Sequence, residues 1–556
     1  MNPSRPTIGI YAIQDRVDSD TPCYVHDHGI TIMDQGRVLK QLTLERISRK
    51  KHDHTLHKSL FDVIKGEGLI SPDDFDLVFT DNVVGRTTLS SCGKIRFEAP
   101  LVHRLKAEPE LGKCWWVDHE RSAYIVNHEL AHVSANLPFY GEFKENSLLV
   151  HFDGGGSLSN FSVWLYRQGK MQSVDFHWKF KYLSSFFNAN ALVFGIIGAK
   201  FVHQNSVPGK MMGLAAFGSY SAKMENWLKA HNYWADIWAK KGSFYAAAKK
   251  TFGWKKNQLQ INDPFLQDII ATLHHVFIRD FMAELKALQS IHHCDYLYYS
   301  GGSALNIVAN THIVSSGLFK DVFIPPCPDD SGLSLGAAAY VELLKHGKVE
   351  SHSAYLNNWG LNQKNTSYTP EDIKQCADSL LAKKVVGICN GVGEIGPRAL
   401  GNRSIVALAN SKVLADKVSQ EHKGREWYRP VAPIMLEKNA RYFTGLDQLN
   451  HLGKYMLLDF PIIPDKQKEI EGVVHVDGTA RIQVVTTRDE NPFMFDLLTY
   501  LDQDKGIRAL INTSFNKRGE PIVHNQEDAL NSARNMKLDG VVIDGQLTIL
   551  NGSEDR

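Results

Sequence analysis

The sequence predicts a layered α/β and α+β protein of two domains, and three observations carry that expectation. Short apolar runs repeatedly end at a turn and lead into helix-like stretches: Ser147 to Asp153 before GGGS, Asp295 to Ser300 before GGSALN, Val385 to Cys389 before NGVGEIG, Ala509 to Ile511 before NTSFN, and Val541 to Ile543 before DGQ. A chain of 556 residues exceeds one ordinary core. A polar stretch rich in Asn, Ser and Gly, Lys345 to Tyr368, separates the apolar run GLSLGAAAYVELL from TPEDI, which reads as a helix start with Pro in its first turn. The boundary is placed there, giving domains 1–350 and 351–556.

Composition narrows the class. With 43% hydrophobic and 22% charged residues the chain is globular. Its 62 basic and 61 acidic residues leave +1, which argues against a nucleic-acid partner or a polybasic membrane face. Seven cysteines, at 23, 92, 114, 294, 327, 376 and 389, form no CxxC and read as reduced thiols. The start MNPSRPTIGIYAI lacks a charged leader with a long apolar run, and no 18-residue apolar window exists, so a cytoplasmic protein is expected. Region 222–256, dense in Trp, Tyr, Phe and Lys, reads as an inserted helical subdomain packed through its aromatics, or as an acceptor-binding lid.

The first half concentrates metal and phosphate chemistry. In Asn127-His128-Glu129-Leu130-Ala131-His132 the imidazoles stand at i and i+4, on one helix face and roughly 5–6 Å apart at Cβ. The HExxH pattern also admits a zinc-protease reading with Glu129 as general base. Glycine-rich turns follow predicted strands at Gly154 and Gly155, and at Gly301, Gly302, Ser303 and Asn306, where backbone N–H groups can approach phosphate oxygens. A metal beside phosphate needs anionic oxygen too, and Asp330 of Pro328-Asp329-Asp330-Ser331-Gly332 is the best donor. His128, His132 and Asp330 then form a three-ligand site suited to iron, zinc or manganese. The residues do not choose among these ions.

The second half concentrates arginines in Gly- and Pro-rich motifs. Arg398 lies in GEIGPRALGNRS, Lys423, Arg425 and Arg429 in HKGREWYRPVAPIML, and Arg481 in VDGTAR, while Asn512, Ser514 and Asn516 close a strand in NTSFN. Arginine suits planar, multidentate anions, so the cluster fits a pocket for phosphates.

In order, HxxxH, DGGGS, Lys210 to Gly218, GGSALN, PPxxDDSGLSLGAA, GPRALGNRS, RExxRPxAP, VDGTARxQ and NTSFN resemble the O-carbamoyltransferase family, which includes the NodU and CmcH types acting on Nod factors, cephems and aminoglycosides. His26-Asp27-His28-Gly29 and Glu45 to Asp53 resemble its N-terminal HD and ERxSRxKHD stretches. The chain departs from the family in an insertion, Gln14 to Tyr24, and in the bulky His28 and Ile30. The resemblance implies an actin-like (ASKHA, sugar-kinase-like) N-terminal domain and a YrdC-like C-terminal domain. It further implies an ATP-dependent transferase of natural-product or antibiotic biosynthesis, with ATP and Mg as co-substrate and Fe(II), or else Zn or Mn, as the bound ion. This enzyme would make carbamoyl adenylate from carbamoyl phosphate with Arg398 and Arg481, then pass the carbamoyl group to a hydroxyl of a small-molecule acceptor, with His26 as general base. A homodimer is compatible with it. The alternatives are carbamoyl-type modification of a protein or tRNA, disfavoured by the missing zinc-finger cysteines and the neutral charge, and a non-catalytic ATP-binding scaffold.

Overall fold

The computed structural model describes residues 3–14, 24–68, 74–82, 86–100, 103–180, 205–235, 237–256, 258–361 and 366–550. Most of the Gln14 to Tyr24 insertion, with Cys23, lies outside the described residues. The six other cysteines are unpaired thiols. No helix among the described residues is long and apolar enough to cross a membrane.

Apolar strands assemble into two sheets of one design. The first comprises β1 (Thr7–Tyr11), β2 (Gly29–Asp34), β3 (Arg37–Thr43), β4 (Asp76–Thr80), β5 (Thr87–Leu89), β6 (Ile95–Glu98), β7 (Glu110–Trp116) and β8 (His119–Val126), ordered β3-β2-β1-β4-β8-β7-β6-β5. The second comprises β9 (Ser147–Phe152), β10 (Phe161–Arg167), β11 (Lys170–His177), β12 (Tyr296–Ser300) and β13 (Asp321–Phe323), ordered β11-β10-β9-β12-β13. In each, three consecutive antiparallel strands are extended by two parallel ones: β1 with β4 and β8, and β9 with β12 and β13. This duplicated order is the actin-like arrangement that the resemblance implies. A meander, β5 to β7, is added to the first copy.

The C-terminal strands are β14 (Val386–Cys389), β15 (Arg403–Leu408), β16 (Ala432–Leu436), the short ribbon β17 (Phe460–Pro461) and β18 (Thr479–Ala480), then β19 (Gln483–Val485), β20 (Leu510–Ser514), β21 (Gly540–Ile543) and β22 (Gln546–Ile549). Apart from the ribbon they form one mixed sheet, β19-β16-β20-β15-β14-β21-β22. Thr369 caps the helix Pro370–Leu381 with a full capping box, as TPEDI predicts.

The helix Leu333–His346 positions the rest of the first unit. Leu333 to Leu343 are all buried, as an apolar-all-round helix between two layers must be. Two glycines let it sit so close. A Cβ on Gly9 of β1 would meet Ser334 O at 2.2 Å, and one on Gly336 would meet Ala131 O at 1.9 Å in the helix His128–Ser134. On the far face of the second sheet, Phe277 and Phe281 of the helix Pro264–His292 pack on Phe152 with ring centroids 5.6 and 5.2 Å away. In the 222–256 region Trp227 packs against Trp234, Phe244 and Phe252, so its aromatics serve helix packing.

The C-terminal sheet is locked to the first unit by arginines of the short helix Leu44–Ser48 and its cap. Buried Arg46 donates to Gly396 O at 3.0 Å, and Arg49 donates to Ile522 O at 2.7 Å and Pro521 O at 3.0 Å. Charged donors on backbone carbonyls make strong, directional ties.

Gly336→Ala should push the helix Leu333–His346 off the helix His128–Ser134, costing about 1–3 kcal/mol or more in urea unfolding. Gly209→Ala, where nothing lies within 4 Å of the added Cβ, should be neutral or slightly stabilising. Equal effects would refute the close-packing account.

Candidate functional site

Asn127 caps the helix His128–Ser134 by accepting from Leu130 N at 2.9 Å, and one helical turn then aligns His128 and His132. Their Nε2 atoms lie 3.0 Å apart, both rings fully buried. Asp330, at the start of the turn leading into the Leu333 helix, faces them: its Oδ1 lies 3.7 Å from His128 Nε2 and 3.4 Å from His132 Nε2. The three residues that the spacing singled out are thus brought together from two helices. A further carboxylate joins them. Asp153, just past β9, places Oδ2 3.4 Å from His132 Nε2.

Two imidazoles and two carboxylates converging inside the protein fit a divalent cation with mixed N/O preference. The charges agree with this. Burial pushes His128 down to about 3, so it is a neutral donor. Against the cost of burial, His26, His128 and His132 hold the Asp330 carboxyl well below its usual range. Burial raises Asp153 in spite of His132. Glu129, in contrast, turns away from the histidines. Its Oε1 accepts from Leu158 N at 2.8 Å, Ser159 N at 3.0 Å and Ser159 Oγ at 3.1 Å, which pins the loop after β9. The zinc-protease reading therefore falls, because its general base is committed to a loop.

A second group adjoins the first. Asp27, in the left-handed region with φ 58°, stands between His26 Nδ1 at 2.8 Å and His52 Nδ1 at 3.0 Å. His26 Nδ1 lies 3.9 Å from Asp330 Oδ2, and the Tyr11 hydroxyl donates to that same oxygen at 3.1 Å. Burial opposes the charge of His26, but Asp330 and then Asp27 outweigh it and raise the imidazole to about 10. The bulky His28 and Ile30 are both fully buried, and burial pushes His28 down to about 3.

The glycine turns are engaged within the protein. Gly154 N and Gly302 N donate to the two oxygens of Asp153, and Gly301 N, at φ 98°, donates to Pro328 O at 2.8 Å. Asn306 caps the helix Ile307–Ser315 through Ala309 N, and Ser303 lies in the short turn before it, while Gly155 packs beside the Trp178 ring. These residues orient Asp153 and the loops around it. That geometry departs from the expectation of a phosphate cradle, since the N–H groups of Gly154, Gly301 and Gly302 already have acceptors.

The C-terminal sheet presents a cationic counterpart. Arg398, Arg425, Arg429 and Arg481 repel one another, and among the described residues Arg398, Arg425 and Arg481 make no ion pair. Burial and mutual repulsion pull Arg481 well below the usual arginine range. Nε of Arg398 and of Arg481 is buried with no acceptor. Arg429 is partnered by Glu426 at 3.5 Å, and Glu426 also binds Lys210 at 3.0 Å. Lys423 is turned inward: its Nζ donates to Asn516 O at 2.6 Å and also to Ser514 O, while Ser514 Oγ donates to Asn516 Oδ1. Asn512 Nδ2 donates to Ala399 O at 2.9 Å and so ties β20 to the Arg398 loop. Lys423, Asn512, Ser514 and Asn516 thus brace the end of β20 and the loops that carry the arginines.

The two clusters adjoin. Arg398 Nη2 reaches Leu305 O of the first unit at 3.4 Å, and its charge is offset by Asp329, the neighbour of Asp330. Burial, then Asp27, raises Asp329 to about 6. Sequence reasoning did not single out Asp27, His52, Asp153 or Asp329 as site residues. Asp27 and His52 lie in the HD and KHD stretches, and Asp153 is the first residue of a glycine turn.

Comparison with known proteins gives two family matches. The model described as carbamoyltransferase N-terminus matches residues 21–339, and that described as carbamoyltransferase C-terminus matches residues 377–549. The chain is similar to nodulation protein NolNO of Sinorhizobium fredii, 26% identical over 94% of this chain and 79% of that one. It is also similar to nodulation protein NolO of Bradyrhizobium diazoefficiens, 32% identical over 50% of this chain and 54% of that one. Nodulation protein U of Sinorhizobium fredii is 34% identical over 47% of each chain.

Arginines that repel one another with little direct ion pairing destabilise the fold until an anion joins them. Arg425→Gln should therefore raise the melting temperature of the ligand-free protein and shrink the increment that pyrophosphate produces. A variant that lowers the former and leaves the latter intact would show that Arg425 is a structural residue.

Proposed function

This chain belongs to the carbamoyltransferase family, and we propose that it moves the carbamoyl group of carbamoyl phosphate, through carbamoyl adenylate made with ATP, to a hydroxyl of a small-molecule natural product or sugar. The observation that supports this best is the juxtaposition, across Asp329 and Asp330, of half-buried arginines, three of which make no direct ion pair among the described residues, with a buried imidazole–carboxylate cluster. One pocket is built for polyanions and the other for a cation.

In the C-terminal pocket, carbamoyl phosphate is hydrolysed to carbamate and inorganic phosphate. A carbamate oxygen then attacks the α-phosphorus of ATP, and the bond to pyrophosphate breaks. Arg398, Arg425, Arg429 and Arg481 hold the phosphate oxygens. Aimed in advance at charge that spreads over the transferring group, they need no reorganisation during the step. Lys423, Ser514 and Asn516 hold the loop in place. Gly154, Gly301 and Gly302, whose N–H groups are already engaged, have no part in gripping these phosphates.

In the first unit, the acceptor hydroxyl oxygen attacks the carbamoyl carbon and the bond from that carbon to AMP oxygen breaks. His128, His132 and Asp330 would hold a metal ion, Fe(II) as first choice with Zn or Mn as alternatives, and such an ion would supply Lewis-acid stabilisation of the leaving phosphate. His26 accepts the hydroxyl proton. Its Nδ1 is committed to Asp27, which leaves Nε2 for the acceptor. With Asp330 uncompensated, His26 is held as the cation. Were a cation to engage Asp330, the largest raising influence would be relieved and the imidazole would move back toward its ordinary range, where it can act as a base.

Arg481→Ala should lower pyrophosphate–ATP exchange by roughly 10²–10³-fold while leaving the fold intact. Exchange at the parent rate would remove the arginine pocket from the first half-reaction. His132→Ala should retain exchange but lose transfer of label from carbamoyl phosphate to a hydroxyl acceptor. Unchanged transfer would exclude the histidine cluster from the second half-reaction.

A further inference from the structure

His151 is a fully buried histidine with neither ring nitrogen hydrogen-bonded. A neutral imidazole always carries one N–H and one lone pair. Leaving buried polar groups unpaired costs about 1–3 kcal/mol each, so a histidine kept here needs a partner that the protein atoms do not supply. Strand geometry says where such a partner would lie. Side chains alternate along β9: Leu148, Val150 and Phe152 enter the core beneath the helix Pro264–His292, whereas Leu149 packs on the side of the helix His128–Ser134. His151 and Asp153 follow Leu149 at steps of two and emerge on that same side, at the strand end nearest the histidine helix.

The rings bear this out. His151 stacks on His132 with centroids 5.0 Å apart and lies 6.0 Å from His128, against 4.7 Å between His128 and His132. One ligand atom from each of His128, His132, His151 and Asp153 falls within 4.8 Å of all the others. Burial, with the neighbouring His132 and His128, holds His151 well below its ordinary range, so its lone pair is free.

We propose that His151 is a third imidazole ligand of the ion held by His128, His132 and Asp330, making the centre nitrogen-rich and selective for borderline first-row ions over oxygen-preferring Mn(II) and Mg(II). This rests on the reading of His128, His132 and Asp330 as an ion site. Imidazole donors favour cobalt, zinc and iron along the usual affinity order, whereas carboxylate and water favour manganese and magnesium. A third imidazole therefore tilts the site toward the former.

The full-length protein, stripped by chelator, is titrated with Co(II) and separately with Mn(II). Visible ligand-field absorption, metal content and the metal-induced rise in melting temperature are measured for the parent, His151→Gln, His151→Ala and His132→Ala. The parent should bind one Co(II) per chain. His151→Gln and His151→Ala should weaken Co(II) at least as much as the roughly 10–100-fold that loss of a mere supporting partner costs. They should also shift the ligand-field bands and weaken Mn(II) less. Melting of the metal-free variants reads their folding separately, and a metal-induced rise that shrinks while metal-free melting holds or improves supports ligation. Parent-like Co(II) affinity and bands in both His151 variants, with binding lost in His132→Ala, would overturn the proposal and leave the underlying ion site standing. A parent protein that takes up no Co(II) would overturn both.

Discussion

The close approach of one buried helix to its two neighbours is the constraint from which the site follows. The helix Leu333–His346 can rest on β1 and against the helix His128–Ser134 only because Gly9 and Gly336 have no Cβ. Gly332, one turn before Gly336, repeats the device: a Cβ there would meet Cys327 O at 2.3 Å. Backbones that approach this closely leave little freedom for the loop that enters the helix, and that loop carries Asp329 and Asp330. Two histidines on one short helix and a carboxylate some 200 residues later thus reach one point through packing of apolar elements, before any ligand is considered.

Charge is organised around the same loop. Asp330 faces imidazoles and the Tyr11 hydroxyl, while Asp329 offsets Arg398 of the C-terminal unit. Adjacent carboxylates therefore serve opposite sides of a seam, one facing the histidines and the other facing an arginine. Arg46 and Arg49 staple the seam from the first unit onto carbonyls of the second, and Gly396 lets the loop bearing Arg398 lie against Pro326 O. Buried charged groups that are left incomplete carry a cost. Several such groups, Nε of Arg398 and of Arg481 among them, stand beside the seam.

Much of this was legible in the chain. The i, i+4 histidines, the acidic loop before GLSLGAAAYVELL, and the arginines set among glycines and prolines each follow from local chemistry that a helix or turn preserves. Local reading cannot separate residues of one type that serve two purposes. Arg403 stands five residues after Arg398 in the same motif, yet it is spent on the backbone carbonyls of Asn390, Gly391 and His524, whereas Nε of Arg398 has no acceptor. Glu129 lies between the two histidines but on another face of the helix. Gly302 resembles a phosphate loop but gives its N–H to Asp153.

By itself the sequence determined the layered α/β class, the helical pairing of His128 with His132 and the basic character of the second half, because periodicity and turn chemistry act over a few residues. Only the tertiary structure decided that Asp153, Asp27 and His52 stand beside that pair, that Glu129 turns from it, and that Asp329 meets Arg398. Those outcomes depend on which strand ends, loops and helix faces are brought together across hundreds of residues, and long-range packing leaves no local mark in the chain.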